Sequence, residues 1–450
     1  MTWRIAAIVV ADASRSLLID AAASGKRGGV AQLPLVDLAA TDPGAEQLSD
    51  VVAGLLGRPV APIWLRSRES DDASESGEGL VLVAADPDHD AEDGRRFVPA
   101  DDVVDRLEPE AARVPVRAWL DRLDGRADPR TPPWMAPGWF DRVSAWIAEQ
   151  MSAAGLPPSA PSRMTYQSPL GTVLRTVSGD RATYLKASPA HFRAEGSITR
   201  ALGGRTPGWI PEVIAVEAAE GWLLMADFGD RILGREPEVA WVDGIRRLGE
   251  LQRAWAGHSE ELVAAGAQDR PLARLTEAVP FLLDIDGLSD RVAPALVDRW
   301  PDLRPRFVDA CHELEDIGLP DALIHGDSHP WNMAVTDAGL VVFDWSDGAA
   351  GPSFVDLPVF LRRTKDLALR RRLRDAYLDA WSGEASRPRL ERAVELAMAV
   401  GALYQVVTYQ ALLSALPPED RIVYGSSDTG WFRASIDGLE RGLDGVGLEA

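Results

Sequence analysis

Residues 323–345 read LIHGDSHPWNMAVTDAGLVVFDW, and this stretch decides the fold. Two apolar runs, residues 322–324 and 340–343, flank a polar segment. Thr336-Asp337-Ala338-Gly339 supplies turn chemistry, with Gly339 able to take positive φ. Residues 333–335 and 340–343 therefore read as the arms of a short β-hairpin. A hairpin returns its end to its beginning, so Asn332 faces Asp344. Asp327 lies in the loop just before. Three oxygen-bearing side chains, Asp327, Asn332 and Asp344, are expected in one small space.

Chemistry gives that convergence a use. Mg²⁺ takes oxygen ligands, commonly one or two from protein and the rest from phosphate and water. Asn332 and Asp344 suit that minimal set, and Asp327 suits the base that accepts a proton from an attacking hydroxyl. Protein kinases divide the work the same way: a catalytic-loop Asp, an Asn five residues on, and a metal-binding Asp after a hairpin.

His325-x-Asp327 with Asn332, followed by Asp344-Trp345, resembles the aminoglycoside phosphotransferase and choline-kinase-like family of small-molecule kinases. In that family the loop runs close to HGDxHPxN and the metal Asp sits in a DW pair. The resemblance implies an α+β, bilobal protein-kinase-like fold, with an antiparallel five-stranded small lobe and a mainly helical large lobe. It implies ATP and Mg²⁺ as cofactors and a small-molecule hydroxyl as acceptor. His325 is expected to brace the loop and to take no part in proton transfer. His329 is open between loop packing and substrate contact.

The rest of the chain supplies the parts such a fold needs. Only three lysines occur, Lys26, Lys186 and Lys365, in a chain that otherwise uses arginine. Lys186 falls in a strand-like run, residues 181–187, after strands at 164–168 and 171–178. The resemblance makes it the phosphate-contacting lysine, with Glu195 on the helix at 190–202 as its partner. A glycine-rich loop should cover the phosphates near 168–171, where only Gly171 is present. Two more strands, 210–216 and 221–226, complete the small lobe. Leu224, Met225 and Ala226 then lie at the hinge, where their backbone groups would meet the adenine. Asp227-Phe228-Gly229 spells a kinase metal motif but precedes the catalytic loop by about a hundred positions, so Asp227 reads as a turn cap. Helices are expected at 239–256, 270–283, 294–300, 303–317, 367–381, 390–413 and 429–443. Asp356 matches the family's Asp that braces the loop.

The domain boundaries read 1–125, a linker with a Trp-rich helix at 126–160, the small lobe and hinge at 161–229, and the large lobe at 230–450. Residues 1–125 carry strands at 2–10, 17–19, 63–65 and 79–84, a turn at 25–29, and helices at 45–56, 101–107 and 116–123. That order resembles a small α/β Nudix fold, with an unrelated α/β domain as the other reading. The Nudix metal signature is degenerate, its places holding Asp50, Val51, Val52, Ala53, Gly54 and Leu55, so no hydrolase activity is expected.

Bulk properties narrow the partners. The 450-residue chain is 46% hydrophobic, as globular proteins are, and long enough for two or three domains. A net charge of −22 opposes nucleic-acid binding. Much of it lies in residues 67–110, where fifteen acids meet four arginines, and this reads as a solvated face with a loop at 67–78. Apolar runs look too short for a bilayer, so no membrane association is expected, and residues 5–11 read as a buried strand rather than a signal peptide. The single cysteine, Cys311, fits a reducing cytoplasm. No protein partner is implied. A regulatory pseudokinase that binds nucleotide without catalysis is the alternative, but such proteins lose a base or metal residue and none is missing here.

Overall fold

The computed structural model describes residues 2–11, 14–20, 30–39, 45–56, 62–69, 76–84, 95–136, 138–418, 420–424 and 426–445. The turn expected at 25–29 lies outside them. The chain forms two compact units, Met1–Pro189 and Ala190–Ala450. Their boundary falls within the stretch assigned above to a single lobe.

The first unit runs β1 (Thr2–Ala11), β2 (Ser16–Asp20), β3 (Ala31–Gln32), β4 (Leu35–Ala39), α1 (Ala45–Leu56), β5 (Pro62–Glu69) and β6 (Ser76–Ala84). It continues through β7 (Arg95–Pro99), α2 (Ala100–Val103), β8 (Leu107–Glu108), α3 (Arg113–Leu123) and α4 (Trp139–Ala153) to β9 (Arg163–Ser168), β10 (Gly171–Ser178) and β11 (Arg181–Ala187). Strands β1 to β8 share one mixed sheet, ordered β5-β6-β1-β2-β3-β8, with β4 on β1 and β7 on β2. Strand β1 runs parallel to β6 and antiparallel to β4.

β1 is apolar on both faces because both are covered. Ile5, Ala7 and Val9 pack with Leu48 and Val52 of α1. Ala6, Ile8 and Val10 pack with Val116, Trp119 and Leu120 of α3. The period of two thus sorts one strand between two helices. The acidic loop expected at 67–78 is shorter than that, since β5 extends to Glu69 and β6 begins at Ser76. The expected helix at 101–107 is one α-turn followed by a 3₁₀ turn, Val104–Arg106, and then β8. Farther on, Trp139, Val143, Ile147 and Met151 are the buried stripe of α4. Strands β9, β10 and β11 pair antiparallel. The site of the expected glycine-rich loop is a tight hairpin link, with Ser168 opposite Gly171 and the Leu170 N–H on Ser168 Oγ at 3.1 Å.

The second unit contains α5 (Glu195–Arg205), the antiparallel hairpin β12 (Val213–Glu217) and β13 (Trp222–Ala226), α6 (Trp241–Ala254), α7 (Ser259–Ala264), β14 (Gln268–Asp269), α8 (Leu272–Ala278), α9 (Leu288–Arg291) and α10 (Pro294–Asp316). Next come β15 (Ala322–Ile324), β16 (Met333–Thr336), β17 (Gly339–Val342), β18 (Ala349–Gly351), α11 (Leu357–Leu361), α12 (Leu367–Ala380), α13 (Arg387–Ala415), α14 (Arg421–Tyr424) and α15 (Ser427–Arg441).

Several expectations need correcting here. Residues 190–202 are not one helix: a 3₁₀ turn, Ala190–Phe192, precedes α5, which makes Glu195 the first residue of α5. The expected helix at 270–283 divides into α8 and a 3₁₀ run, Val279–Gly287. The two helices expected at 294–300 and 303–317 are one, because α10 continues through Pro301 and Pro305. Each proline removes one backbone donor, but the apolar stripe of Trp300, Leu303, Phe307, Ala310 and Leu314 is buried in the core and holds the helix together. The loop expected at 346–352 contains β18, which pairs with β15 and β14.

Helix α13 is the spine of this unit. By length and composition it could cross a membrane, contrary to the expectation that no run was long enough, yet 83% of its most apolar window is buried inside the fold. Gly401 lets a neighbour come close: a Cβ there would stand 2.4 Å from the Val355 carbonyl oxygen. That crossing seats the 3₁₀ turn Ser353–Asp356 on the helix.

Candidate active site

The candidate site grows out of β15, all three of whose residues are buried. The chain leaves this strand through His325 and turns at Gly326. Gly326 has φ +85°, and a Cβ there would lie 2.5 Å from Asp347 Cβ and 2.8 Å from the Asp347 carbonyl oxygen. Only glycine fits that bend without strain. A 3₁₀ turn, Pro330–Asn332, leads into β16, and the hairpin closes with Thr336 opposite Gly339. The N–H of Phe343 donates to the Asn332 carbonyl at 3.0 Å, which ties the end of the hairpin to its start. Asp344 follows in the left-handed region at φ +66°, an unusual conformation for a residue with a side chain. Its Oδ1 accepts the Ser346 hydroxyl at 2.6 Å.

Asp327 and Asn332 are in contact. Asn332 Nδ2 donates to the Asp327 carbonyl at 2.9 Å and to Asp327 Oδ2 at 3.3 Å. His329 Nε2 lies 3.2 Å from the same Oδ2. Burial works to raise the Asp327 pKa, but the His329 hydrogen bond and its charge outweigh that, and the carboxyl ends below its ordinary value. The charge of Asp344 is felt at this carboxyl too. The Asp327 side chain keeps 43% of its surface open to solvent, so the carboxylate is reachable.

His325 stitches the loop together. Its Nδ1 accepts the Asp327 N–H at 3.3 Å and its Nε2 bonds to the Phe343 carbonyl at 3.0 Å, which assigns the proton to Nε2. Burial lowers its pKa, against the opposing charges of Asp327 and Asp344. The ring packs on Trp345, centroid to centroid 4.4 Å. Asp356 accepts the backbone N–H of His325 at 2.7 Å and of Gly326 at 2.9 Å.

The other expected residues sit as follows. Lys186 lies on β11 in register with Val173 in the first unit. Glu195 is buried at the start of α5 in the second. Met225 pairs with Val213 near the end of β13. The Ala226 N–H donates to the Glu212 carbonyl at 2.9 Å, so among the backbone groups of the expected hinge this one is committed within the hairpin. Asp227 Oδ1 accepts the Gly229 N–H at 2.8 Å, as a turn cap does. Phe228 stacks on Phe343 with centroids 4.9 Å apart, joining that turn to the hairpin end.

Residues that sequence spacing did not single out also shape the site. Gln252 Nε2 donates to Asp356 Oδ2 at 2.7 Å, and Gln405 Nε2 donates to the Gly326 carbonyl at 2.6 Å. Each is more than seventy positions from its partner, and no motif links them. Tyr409, one turn after Gln405 on α13, faces the same region. Burial raises its pKa, the charges of Asp327 and Asp347 add to the rise, and Arg363 opposes it.

Residues 171–392 match the family described as "Phosphotransferase enzyme family" (APH). The match spans just under half of the chain. Solved structures similar to the chain include the macrolide 2'-phosphotransferase MphH from Brachybacterium faecium, at 19% identity over 63% of this chain and 97% of that one, with a TM-score of 0.46. A choline/ethanolamine kinase family protein from Mesorhizobium loti is similar at 20% identity over 68% and 98%, with a TM-score of 0.47. Choline kinase LicA from Streptococcus pneumoniae is similar at 12% identity over 66% and 99%, with a TM-score of 0.46. No curated protein sequence matches the chain.

Proposed function

We propose that the protein transfers the γ-phosphoryl group of ATP to a hydroxyl of a small molecule, such as an amino sugar, an aminoglycoside or a related metabolite. One observation carries the reading: an accessible carboxylate, Asp327, is clamped by Asn332 and shares its electrostatic environment with Asp344.

The donor set suits Mg²⁺. Among the described residues no group of three or more His, Cys, Asp or Glu side chains could hold a metal ion. The proposal therefore rests on one amide oxygen and one carboxylate, the small protein contribution Mg²⁺ accepts. Asn332 turns its nitrogen to Asp327, which directs its oxygen away from that carboxylate. Bound by Asn332 and Asp344, Mg²⁺ would supply positive charge against the phosphate oxygens.

Asp327, its pKa held low, is ionised at neutral pH and ready to accept a proton. The acceptor oxygen forms its bond to the γ-phosphorus while the bond to the bridging oxygen breaks and ADP leaves. The hydroxyl proton passes to Asp327. His329 and Asn332 hold the carboxylate in place, and the low pKa makes Asp327 more an orienting acceptor than a strong base. Lys186 as phosphate contact, Glu195 as its partner, and Met225 as a hinge residue keep the roles their sequence positions imply, and Ala226 keeps its hinge role without its N–H, which Glu212 takes. Asp347 and Tyr409 favour an acceptor that carries an amine and several hydroxyls.

No hydrolase chemistry is proposed for residues 1–125. Asp50, the one carboxylate at the signature positions, is ion-paired with Arg163, and Glu46 lies 3.4 Å from the same guanidinium. An ATP-consumption screen over amino sugars, aminoglycosides and amino alcohols tests the function. Consumption that depends on the acceptor and is lost in Asp327→Ala supports it. Consumption that Asp327→Ala leaves intact refutes it.

A further inference from the structure

A run of buried polar groups reaches the catalytic loop from the helices beneath it. The Tyr377 hydroxyl on α12 donates to Gln252 Oε1 at 2.6 Å. Gln252 on α6 turns its amide nitrogen to Asp356 Oδ2 at 2.7 Å, and to the Ser353 carbonyl at 3.5 Å. Asp356 then holds the loop at three points: the N–H of His325, the N–H of Gly326, and the Ser328 hydroxyl on its own carbonyl at 2.9 Å. Tyr377, Gln252, Asp356, His325 and Ser328 are each 0% exposed. Water cannot replace any of these partners.

Chemistry fixes the orientation of the glutamine. Flipped, it would aim its oxygen at a carboxylate oxygen, setting two acceptors face to face with no proton between them. The Tyr377 hydroxyl, spent as a donor to Oε1, keeps the nitrogen on the Asp356 side.

We propose that Gln252, oriented by Tyr377, is a positioning residue for phosphotransfer: it keeps Asp356 a carboxylate, and that carboxylate holds the loop bearing Asp327. This rests on the phosphotransfer reading. A protonated Asp356 would carry an O–H where the loop amides and Gln252 need an acceptor, so one donor would be orphaned and the loop loosened. Burial pushes Asp356 up to about 7, against the loop amides and Gln252, which pull it down. The titratable groups facing it are His325 and Asp327 of the loop, of which Asp327 adds to the rise, and Tyr377 of α12. Loss of the Gln252 donor moves the transition higher still.

The test compares full-length wild type, Gln252→Met and Tyr377→Phe, two near-isosteric changes. The pH profile of kcat is measured with saturating ATP and an acceptor from the screen. In Gln252→Met the acidic limb shifts upward by about 1 pH unit, the size set by one lost hydrogen bond to a charged group. Tyr377→Phe shifts it in the same direction by less, and KM for ATP stays as in wild type. Hydrogen exchange of the peptide spanning 323–328, corrected for intrinsic rates, is followed over the same pH range and needs no turnover. Protection that disappears at higher pH in the variants than in wild type supports the proposal. An unchanged exchange profile, or a uniform fall in stability and kcat at every pH, overturns it and leaves these residues a packing role. If no acceptor is turned over, the phosphotransfer reading fails by itself, and the exchange profile still decides the link from Gln252 to the loop.

Discussion

The Asn332 amide nitrogen bonds twice to Asp327, 2.9 Å to its carbonyl and 3.3 Å to its carboxylate. One side chain therefore sets the position of the proposed proton acceptor and turns its own oxygen outward. Asn332→Ala removes both effects. Turnover is expected to fall by ~10²-fold, as it does when reacting groups are misplaced by about an ångström. The Mg²⁺ concentration for half-maximal rate should rise with it. A Mg²⁺ titration of ATP consumption checks both, and a lower turnover with unchanged Mg²⁺ dependence would remove Asn332 from the metal set.

Gly326 lies at φ +85° with Asp347 packed over its Cα. In Gly326→Ala the left-handed backbone alone costs about 1–2 kcal/mol. The contact with the Asp347 backbone adds to that, since a main-chain atom cannot swing aside. The melting temperature should fall by several degrees, and turnover should fall further than stability explains because the same bend aims Asp327. A variant with wild-type melting temperature would contradict the account of this turn.

Parts of this arrangement were legible in the sequence for a physical reason. The turn at Thr336 to Gly339 and the capping role of Asp227 depend on neighbours a few positions away, so local chemistry decides them. Lys186 stood out because the chain otherwise uses arginine. The brace through Gln252 and Tyr377 was not legible, because its members lie 104 and 125 positions apart and meet only in the folded core. Pro301 misled for a related reason. Proline is a local breaker, but the burial of Trp300 and Leu303 that carries α10 past it is tertiary. The hinge position of residues 224–226 says nothing of which backbone groups are already taken, and only the folded hairpin reveals that Glu212 accepts the Ala226 N–H.

Asp356 gives stability a definite pH dependence. Its folded pKa is raised from 3.8 to about 7, with burial the main cause. Between those values the folded chain keeps a proton that the unfolded chain releases. The contribution is therefore present below the unfolded pKa and is lost as pH rises toward the folded one, on the order of 4 kcal/mol in all. Urea unfolding of wild type and Asp356→Asn from pH 4 to pH 7 checks the sign. The advantage of wild type over the variant should shrink as pH rises, and an advantage that grows would contradict it.

Tyr409 shares a region with Asp327, Asp347 and Arg363. If the acceptor occupies that region, Tyr409→Phe removes one hydrogen bond to it. The acceptor KM should rise about tenfold, the equivalent of one such bond, while the ATP KM is unchanged. Steady-state kinetics with each substrate varied in turn decide this. A change in the ATP KM alone would place Tyr409 elsewhere.

The most direct measurement sets turnover by Asp327→Ala beside its binding of nucleotide, followed as the thermal shift caused by ATP with Mg²⁺. With Asp327 as the proton acceptor, turnover falls by about 10²–10⁴-fold and the thermal shift equals that of wild type. Turnover at the wild-type rate in the purified variant would contradict the assignment and the phosphotransfer account built on it.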